Sequence, residues 1–292
     1  MIRLKIIFIV TMVILVLIGA LRVISNNLLL ESYETIENAK MLRNSIRVES
    51  TIKNYQDSLN IQLRDWAQWD DTYQFAQDLN DEYIQSNLQD GSLSNLEINH
   101  IIYFNTNQEL IYSKELDLSI PHDPDHLKSI LDFIRYEDIL TNRDTEGNLS
   151  GILESPEGLI FIEALPILKS DGTGPTMGTL LFGRHFDSKI LSKFEELTQL
   201  NIEIFPYDSS NIPTDVLFAK KSFPTVEKFF VNPLSDETLA SYFIINDLNK
   251  NPLEIVRITT AREISLQGKH TTTIFILISS AAILIFGLLV LL

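Results

Sequence analysis

An α+β fold held between two membrane helices is what this sequence predicts, and three observations predict it. Two uncharged apolar runs bracket the chain, at residues 6–21 and 271–292. A stretch from Asn26 to about Leu63 has no Gly or Pro and repeats apolar residues at three- and four-residue steps. Past Asn95 the period changes to short apolar runs separated by turn residues, the pattern of an antiparallel sheet.

The first apolar run, with its flanks, approaches the roughly 20 residues that cross a bilayer as a helix, and the second is long enough outright. Arg3 and Lys5 precede the first run, so positive-inside bias sets the N-terminus in the cytoplasm. Residues about 25–268 then lie extracellular or periplasmic at the cell membrane. A cleaved signal peptide is the competing reading of the N-terminus, but Ile18-Gly19-Ala20 fits a small-residue cleavage site poorly. The expected organisation is an N-terminal transmembrane helix over 1–24, a long juxtamembrane helix over 25–64, a sensory domain over 65–268 and a C-terminal transmembrane helix over 269–292.

Of 292 residues, 39 are acidic and 23 basic, a net charge of −16. Neither apolar run holds an acid, so residues 22–270 carry 39 acidic and 21 basic side chains, a net −18. That charge argues against nucleic acid as a partner, because phosphate binding needs clustered Lys and Arg. The absence of cysteine removes disulfides, thiolate metal sites and cysteine nucleophiles together.

The helix beginning near Asn26 would rise about 55 Å and continue the first membrane span outward. Its apolar stripe (Leu29, Tyr33, Ile36, Ala39, Leu42, Ile46, then Ile52, Tyr55, Leu59, Leu63) suits packing on its own domain or on a second protomer, which makes a homodimer the expected assembly. Residues 100–105 and 110–113 flank the turn Thr106-Asn107-Gln108-Glu109 as a hairpin. Asp123-Pro124 opens a helix to about Leu140, with Asp as N-cap and Pro at its first position. Strands follow at 159–168, 177–185 and 201–205, with a helix over 187–200 and a Gly/Ser/Thr/Pro loop over 169–176. Two further strands, 239–245 and 253–260, flank residues 246–252. The sequence shows no internal repeat, and so no sign of two stacked sheet modules. The whole reads as a PAS/Cache-like antiparallel sheet with connecting helices.

The most informative stretch is residues 65–78, DWAQWDDTYQFAQD, which holds both tryptophans. On one continuous helix Trp66, Trp69, Asp70, Tyr73 and Gln77 share a face, with Asp71 and Phe75 nearly opposite. Aromatic rings around a carboxylate suit a pocket wall, where the rings give apolar contact and the acid fixes a donor or cation. The alternative is that Trp66, Trp69 and Tyr73 are core residues, with Asp70 accepting hydrogen bonds from a neighbouring turn or an arginine. Arg184, at the end of an apolar strand, either clamps a ligand carboxylate or forms a structural ion pair with Asp70 or Asp71. The candidate ligand-binding residues are therefore Trp66, Trp69, Asp70, Tyr73 and Arg184. No catalytic residue, metal site or cofactor is expected: P-loop, G-x-S-x-G and H-E-x-x-H patterns are all missing, and Pro124 spoils helical pairing of His122 with His126.

The motif W-A-x-W-D-D-x-Y-x-F at 66–75, followed by Tyr83-Ile84 and Ser86-Asn87-Leu88, resembles the opening signature of the fourth class of CHASE domains. These are extracellular sensory modules of membrane-bound histidine kinases and diguanylate cyclases. The hairpin at 101–113, Ala164-Leu165-Pro166-Ile167 and the G-x-L-x-x-G-R strand at 178–184 fit the same pattern. The resemblance implies a non-enzymatic sensor that detects an unknown small molecule and relays it across the lipid bilayer to a cytoplasmic kinase or cyclase output. The chain ends within the second apolar run, so that output is expected elsewhere. The alternative is a membrane-tethered scaffold subunit that contacts another envelope protein without sensing.

Overall fold

The computed structural model describes residues 2–116, 148–155, 158–223 and 228–291. The helix expected over 123–140 lies outside them. The chain divides into two compact units, residues 1–46, 213–243 and 257–292 in one, and 47–212 and 244–256 in the other.

The strands form two sheets rather than the single one anticipated. The first contains β1 (His100–Phe104), β2 (Leu110–Glu115), β3 (Leu149–Ser155), β4 (Gly158–Pro166) and β5 (Thr179–His185), in the order β2-β1-β5-β4-β3. Every neighbouring pair in it is antiparallel. The second joins β6 (Asn201–Pro206), β7 (Phe230–Pro233), β8 (Thr238–Asn246) and β9 (Pro252–Ala261) in the order β6-β9-β8-β7. The two sheets differ in strand number and order, so no sequence repeat accompanies them. Short strands β3 and β7 and helix α7 (Thr214–Ser222) escaped the sequence reading, being too short or too polar to show a period.

In the unit holding residues 47–212, both faces of the first sheet are covered. One face builds a core from Ile102, Phe104, Leu149, Leu153, Ile160, Ile162, Ala164 and Leu181, closed by Leu110 and Leu248. The alternate positions Ile101, Tyr103, Phe161, Leu165, Leu180 and Phe182 are buried as well. Two-sided burial is why these strands read as continuous apolar runs rather than alternating ones. Gly178 enters β5 at φ +134°, where a Cβ would lie 1.9 Å from the Phe104 carbonyl oxygen. Only glycine fits that approach.

Helix α2 runs over Leu30–Ala67, after α1 (Ile2–Ile24) and a π-helical turn at Ser25–Leu29. Its distal part buries Val48, Ile52, Leu59, Leu63 and Ala67, spaced by four or seven residues as one face of a helix is. Tyr55 packs on Phe161 of β4 at 5.3 Å and on Phe194 of α6 (Ser188–Thr198) at 5.5 Å. Glu163 is fully buried on β4 and accepts hydrogen bonds from Ser150 Oγ (2.6 Å) and Asn60 Nδ2 (2.9 Å). Burial pushes its carboxyl up to about 7 despite those donors, with Asp57 adding to the rise.

In the other unit, α1 and α8 (Glu263–Leu291) are long and apolar enough to cross a membrane. Helices α1 and α8 pack closely at Gly287, where a Cβ would meet Ile14, and α8 meets the start of α2 at Gly268, where a Cβ would meet Tyr33. Phe8 and Leu288 turn outward with 71% and 64% of their surface open, as lipid-facing residues do. Beyond the apolar segments, Glu37 of α2 is buried and accepts from Arg262 Nε (3.0 Å), Ser265 N (3.1 Å) and Ser265 Oγ (2.5 Å). Burial opposes the charge, yet these donors outweigh it and hold the Glu37 carboxyl below its ordinary value. Ser265 sits in the first turn of α8, so a carboxylate from α2 caps the start of α8.

Candidate ligand-binding cleft

The signature stretch does not form one helix. Helix α2 ends at Ala67, Trp69 is extended (φ −132°, ψ 133°), and α3 begins anew over Asp70–Asp78. Trp69 offers no side-chain acceptor to the new helix. The loop at 169–176 supplies one instead: Asp70 N donates to Ser170 Oγ (3.0 Å), and Ser170 N donates back to Asp70 Oδ1 (3.1 Å). This is the reciprocal logic of a capping box, built between distant parts of the chain. Next to it, Leu168 N donates to the Ala67 carbonyl at 3.0 Å, tying the loop to the end of α2. Leu79 closes α3 in the left-handed region, and Asn80 caps α4 (Asp81–Asn87) through Tyr83 N, with α5 (Asp90–Asn95) following.

On α3, Thr72, Tyr73 and Phe75 turn inward. Phe75 stacks on Tyr83 at 4.5 Å and meets Tyr103 edge-on at 5.1 Å, so the residue expected opposite the pocket face is core. The Tyr83 hydroxyl lies 2.6 Å from Thr72 Oγ1 and 3.2 Å from the Tyr103 hydroxyl, which satisfies these buried groups.

Between α3 and the loop opens a cleft of about 700 Å³, lined by Asp70, Tyr73, Gln74, Gln77, Asp78, Lys169, Ser170 and Asp171. The Tyr73 hydroxyl donates to the Pro175 carbonyl (3.2 Å), and Lys169 Nζ lies 5.7 Å from the centre of its ring. The side chain of Asn80 holds the Asp78 carboxyl below the usual range, and the Thr173 hydroxyl does the same for Asp171. Across α3 a second cleft of about 450 Å³ is lined by Trp69, Asp71, Gln74, Asn80, Glu82, Tyr83, Ser86 and Asn87.

Of the five residues singled out from sequence, the structure brings Asp70 and Tyr73 into one cleft. Trp66 is packed between Trp69 (6.4 Å) and Phe182 (6.3 Å), and Trp69 borders the second cleft, so the expected common face is corrected by the helix break at 68–69. Arg184 is also corrected. It is 1% exposed, donates to Asn99 Oδ1 at 2.6 Å and pairs with Asp187 at 3.1 Å, not with Asp70 or Asp71. Asp187 follows three residues later and caps α6, so the short local pairing wins over a long-range one. Lys169, Ser170 and Asp171 went unnoticed as lining residues. Their turn-forming composition announced a loop, and nothing in it announced what the loop would touch.

A family model described as the CHASE4 domain matches residues 51–205. The chain belongs to the CHASE4 family. It is a membrane-anchored extracellular sensory domain, and what it shares with its relatives is a sensory rather than a catalytic module. The methanogenesis regulatory histidine kinase FilI of Methanothrix harundinacea (strain 6Ac) is 27% identical over 255 residues, covering 84% of this chain. The chain spans 27% of that kinase's length. Among solved structures, the ligand-binding domain of the Campylobacter jejuni chemoreceptor Tlp3, in complex with L-valine, aligns with TM-score 0.48 and 17% identity, over 81% of this chain and 96% of that one. The periplasmic domain of Vibrio cholerae LuxQ aligns with TM-score 0.45 and 12% identity, over 76% and 98%.

Proposed function

We propose that this CHASE4 domain binds a small polar molecule in the cleft between α3 and the 169–176 loop, and passes the event along α2 to a kinase-type output. The observation that carries this reading is the seating of two family-signature residues, Asp70 and Tyr73, in a concave site of ligand size. The loop wall of that site is bonded directly to the last turn of α2. A ligand that prefers one position of the loop therefore biases α2, and it shifts the receptor by its difference in affinity between two states. The exposed apolar residues Ile36, Leu42 and Ile46 on α2 fit a second copy of the chain, and dimerisation through that stripe is part of the proposal.

The test uses the full chain in lipid nanodiscs against a broad set of metabolites, read by thermal stabilisation and tryptophan fluorescence. A ligand at one hundred times its Kd stabilises by about 2.7 kcal/mol, well within detection. Hits that lose their effect on substituting Asp171 support the cleft. A screen in which no compound moves either signal refutes the sensor reading.

A further inference from the structure

The chemistry of the cleft narrows its ligand, and the narrowing rests on the reading that this cleft is the binding site. Three carboxylates line it (Asp70, Asp78 and Asp171) against one ammonium, Lys169. Asp78 and Asp171 both titrate below the usual carboxylate range, so the cleft keeps its negative sign throughout the physiological range. Their hydrogen-bond partners are hydroxyls, amides and N–H groups: Asp171 Oδ1 takes both Thr173 N (2.9 Å) and Thr173 Oγ1 (2.6 Å), and Lys169 adds a weaker attraction to Asp171 through space. Asp70 Oδ1 is taken by Ser170 N. The second oxygens of Asp70 and Asp171 accept nothing among the described residues and remain open to an N–H donor.

The aromatic wall has the matching character. The hydroxyl of Tyr73 is committed to the Pro175 carbonyl, so what Tyr73 offers the cleft is the face of its ring. A ring face is negative at its centre and attracts cations. That place is already held by Lys169 Nζ, 5.7 Å from the ring centre and outside ion-pair distance of any carboxylate among the described residues. Lys169 reaches it from an exposed loop whose Gly172 and Gly174 both have positive φ, a backbone conformation that accommodates the tight turn.

We propose that the cleft selects an organic cation, a primary or quaternary ammonium without a carboxylate, and that Lys169 is a tethered competitor displaced from the Tyr73 ring by the ligand's cationic head. A ligand carboxylate is disfavoured, because it would meet three like charges for one opposite charge. The freed N–H donors of a primary amine find the open oxygens of Asp70 and Asp171.

The probes are tetramethylammonium, 1,4-diaminobutane, butyrate and 4-aminobutyrate, titrated into the full chain in nanodiscs by calorimetry. The two cations are expected to bind saturably, and butyrate is not. Lys169→Ala removes the competitor and should tighten cation binding about two- to fivefold, the scale of one exposed cation–π contact. Asp171→Asn should weaken it, Tyr73→Phe should leave it unchanged, and Tyr73→Leu should weaken it. Tyr73 is only 9% exposed, so the two loop variants decide the matter if Tyr73→Leu fails to fold. Weaker binding in Lys169→Ala, or 4-aminobutyrate binding more tightly than 1,4-diaminobutane, overturns the cation assignment while leaving the cleft as a site. Cation binding equal in all variants is diffuse attraction to an acidic surface and overturns the assignment too, as does no cation binding at all. A metabolite from the wider screen that binds equally well to Lys169→Ala and Asp171→Asn removes the cleft itself.

Discussion

Glu37 offers the sharpest test of how the start of the C-terminal membrane helix is held. Its carboxylate takes three hydrogen bonds from Arg262 and Ser265, and both it and Arg262 are buried. Glu37→Ala leaves the guanidinium and two first-turn donors of α8 without that acceptor. Removing one partner of a buried pair costs about 3–5 kcal/mol. Arg262 keeps weaker contacts to Glu34 (3.7 Å) and the Ser235 carbonyl (3.5 Å), which places the loss at the lower end, about 3 kcal/mol. That is about a hundredfold in the local opening equilibrium. Hydrogen exchange of the amides at 263–268 measures it in nanodiscs, with the Asp187-capped start of α6 as an internal reference. Glu37→Gln keeps an acceptor without the charge and should lie between. Unchanged protection at 263–268 in Glu37→Ala would refute the assignment of Glu37 as the cap of α8.

Two further outcomes follow from buried and exposed features of the same chain. Glu163 titrates from an ordinary 4.5 up to about 7, worth about 3 kcal/mol. Below pH 4.5 the folded and unfolded states are both protonated there; between 4.5 and 7 only the folded state keeps the proton, so stability falls as pH rises through that window and is flat above it. Thermal unfolding read by Trp66 and Trp69 should therefore show a higher Tm at pH 5 than at pH 8, and Glu163→Gln should remove part of the slope. Glu254, raised to about 7 by burial and by Glu154, supplies the rest. A slope identical in wild type and Glu163→Gln would disprove the assignment. For the dimer, Ile36→Cys should give a disulfide-linked species in membranes under mild oxidation, whereas cysteine at buried Val48 should not; equal cross-linking at both sites would count against the stripe.

How much of this was legible beforehand depended on how local each determinant is. The long helix is legible from its period, and the hairpin at 100–115 and the strands around 160 and 180 from short apolar runs bounded by turn residues, both of which burial imposes locally. The helix break at 68–69 did not, since residues 65–78 keep an unbroken helical pattern and the stop comes from a cap that Ser170 supplies from one hundred residues away. Arg184 differs in kind, since its ion-pair partner Asp187 is only three residues on while Asn99 lies far back in the chain. An apolar strand ending in a cation shows that a partner is needed without showing which carboxylate provides it.

By itself, the sequence determined the two apolar spans, the acidic outer segment, the α+β class and the CHASE4 signature, because composition and period are properties of neighbours along the chain. Only the tertiary structure decided that the strands form two sheets, that Tyr73 faces a lysine from a distant loop, that Arg184 is locked onto Asn99 and Asp187, and that Glu37 caps α8. Apart from the ion pair of Arg184 with Asp187, three residues on, each of these is a pairing between groups far apart in sequence. Their partners are chosen by packing and by the cost of leaving a buried polar group unmatched, and neither is written in any single stretch of residues.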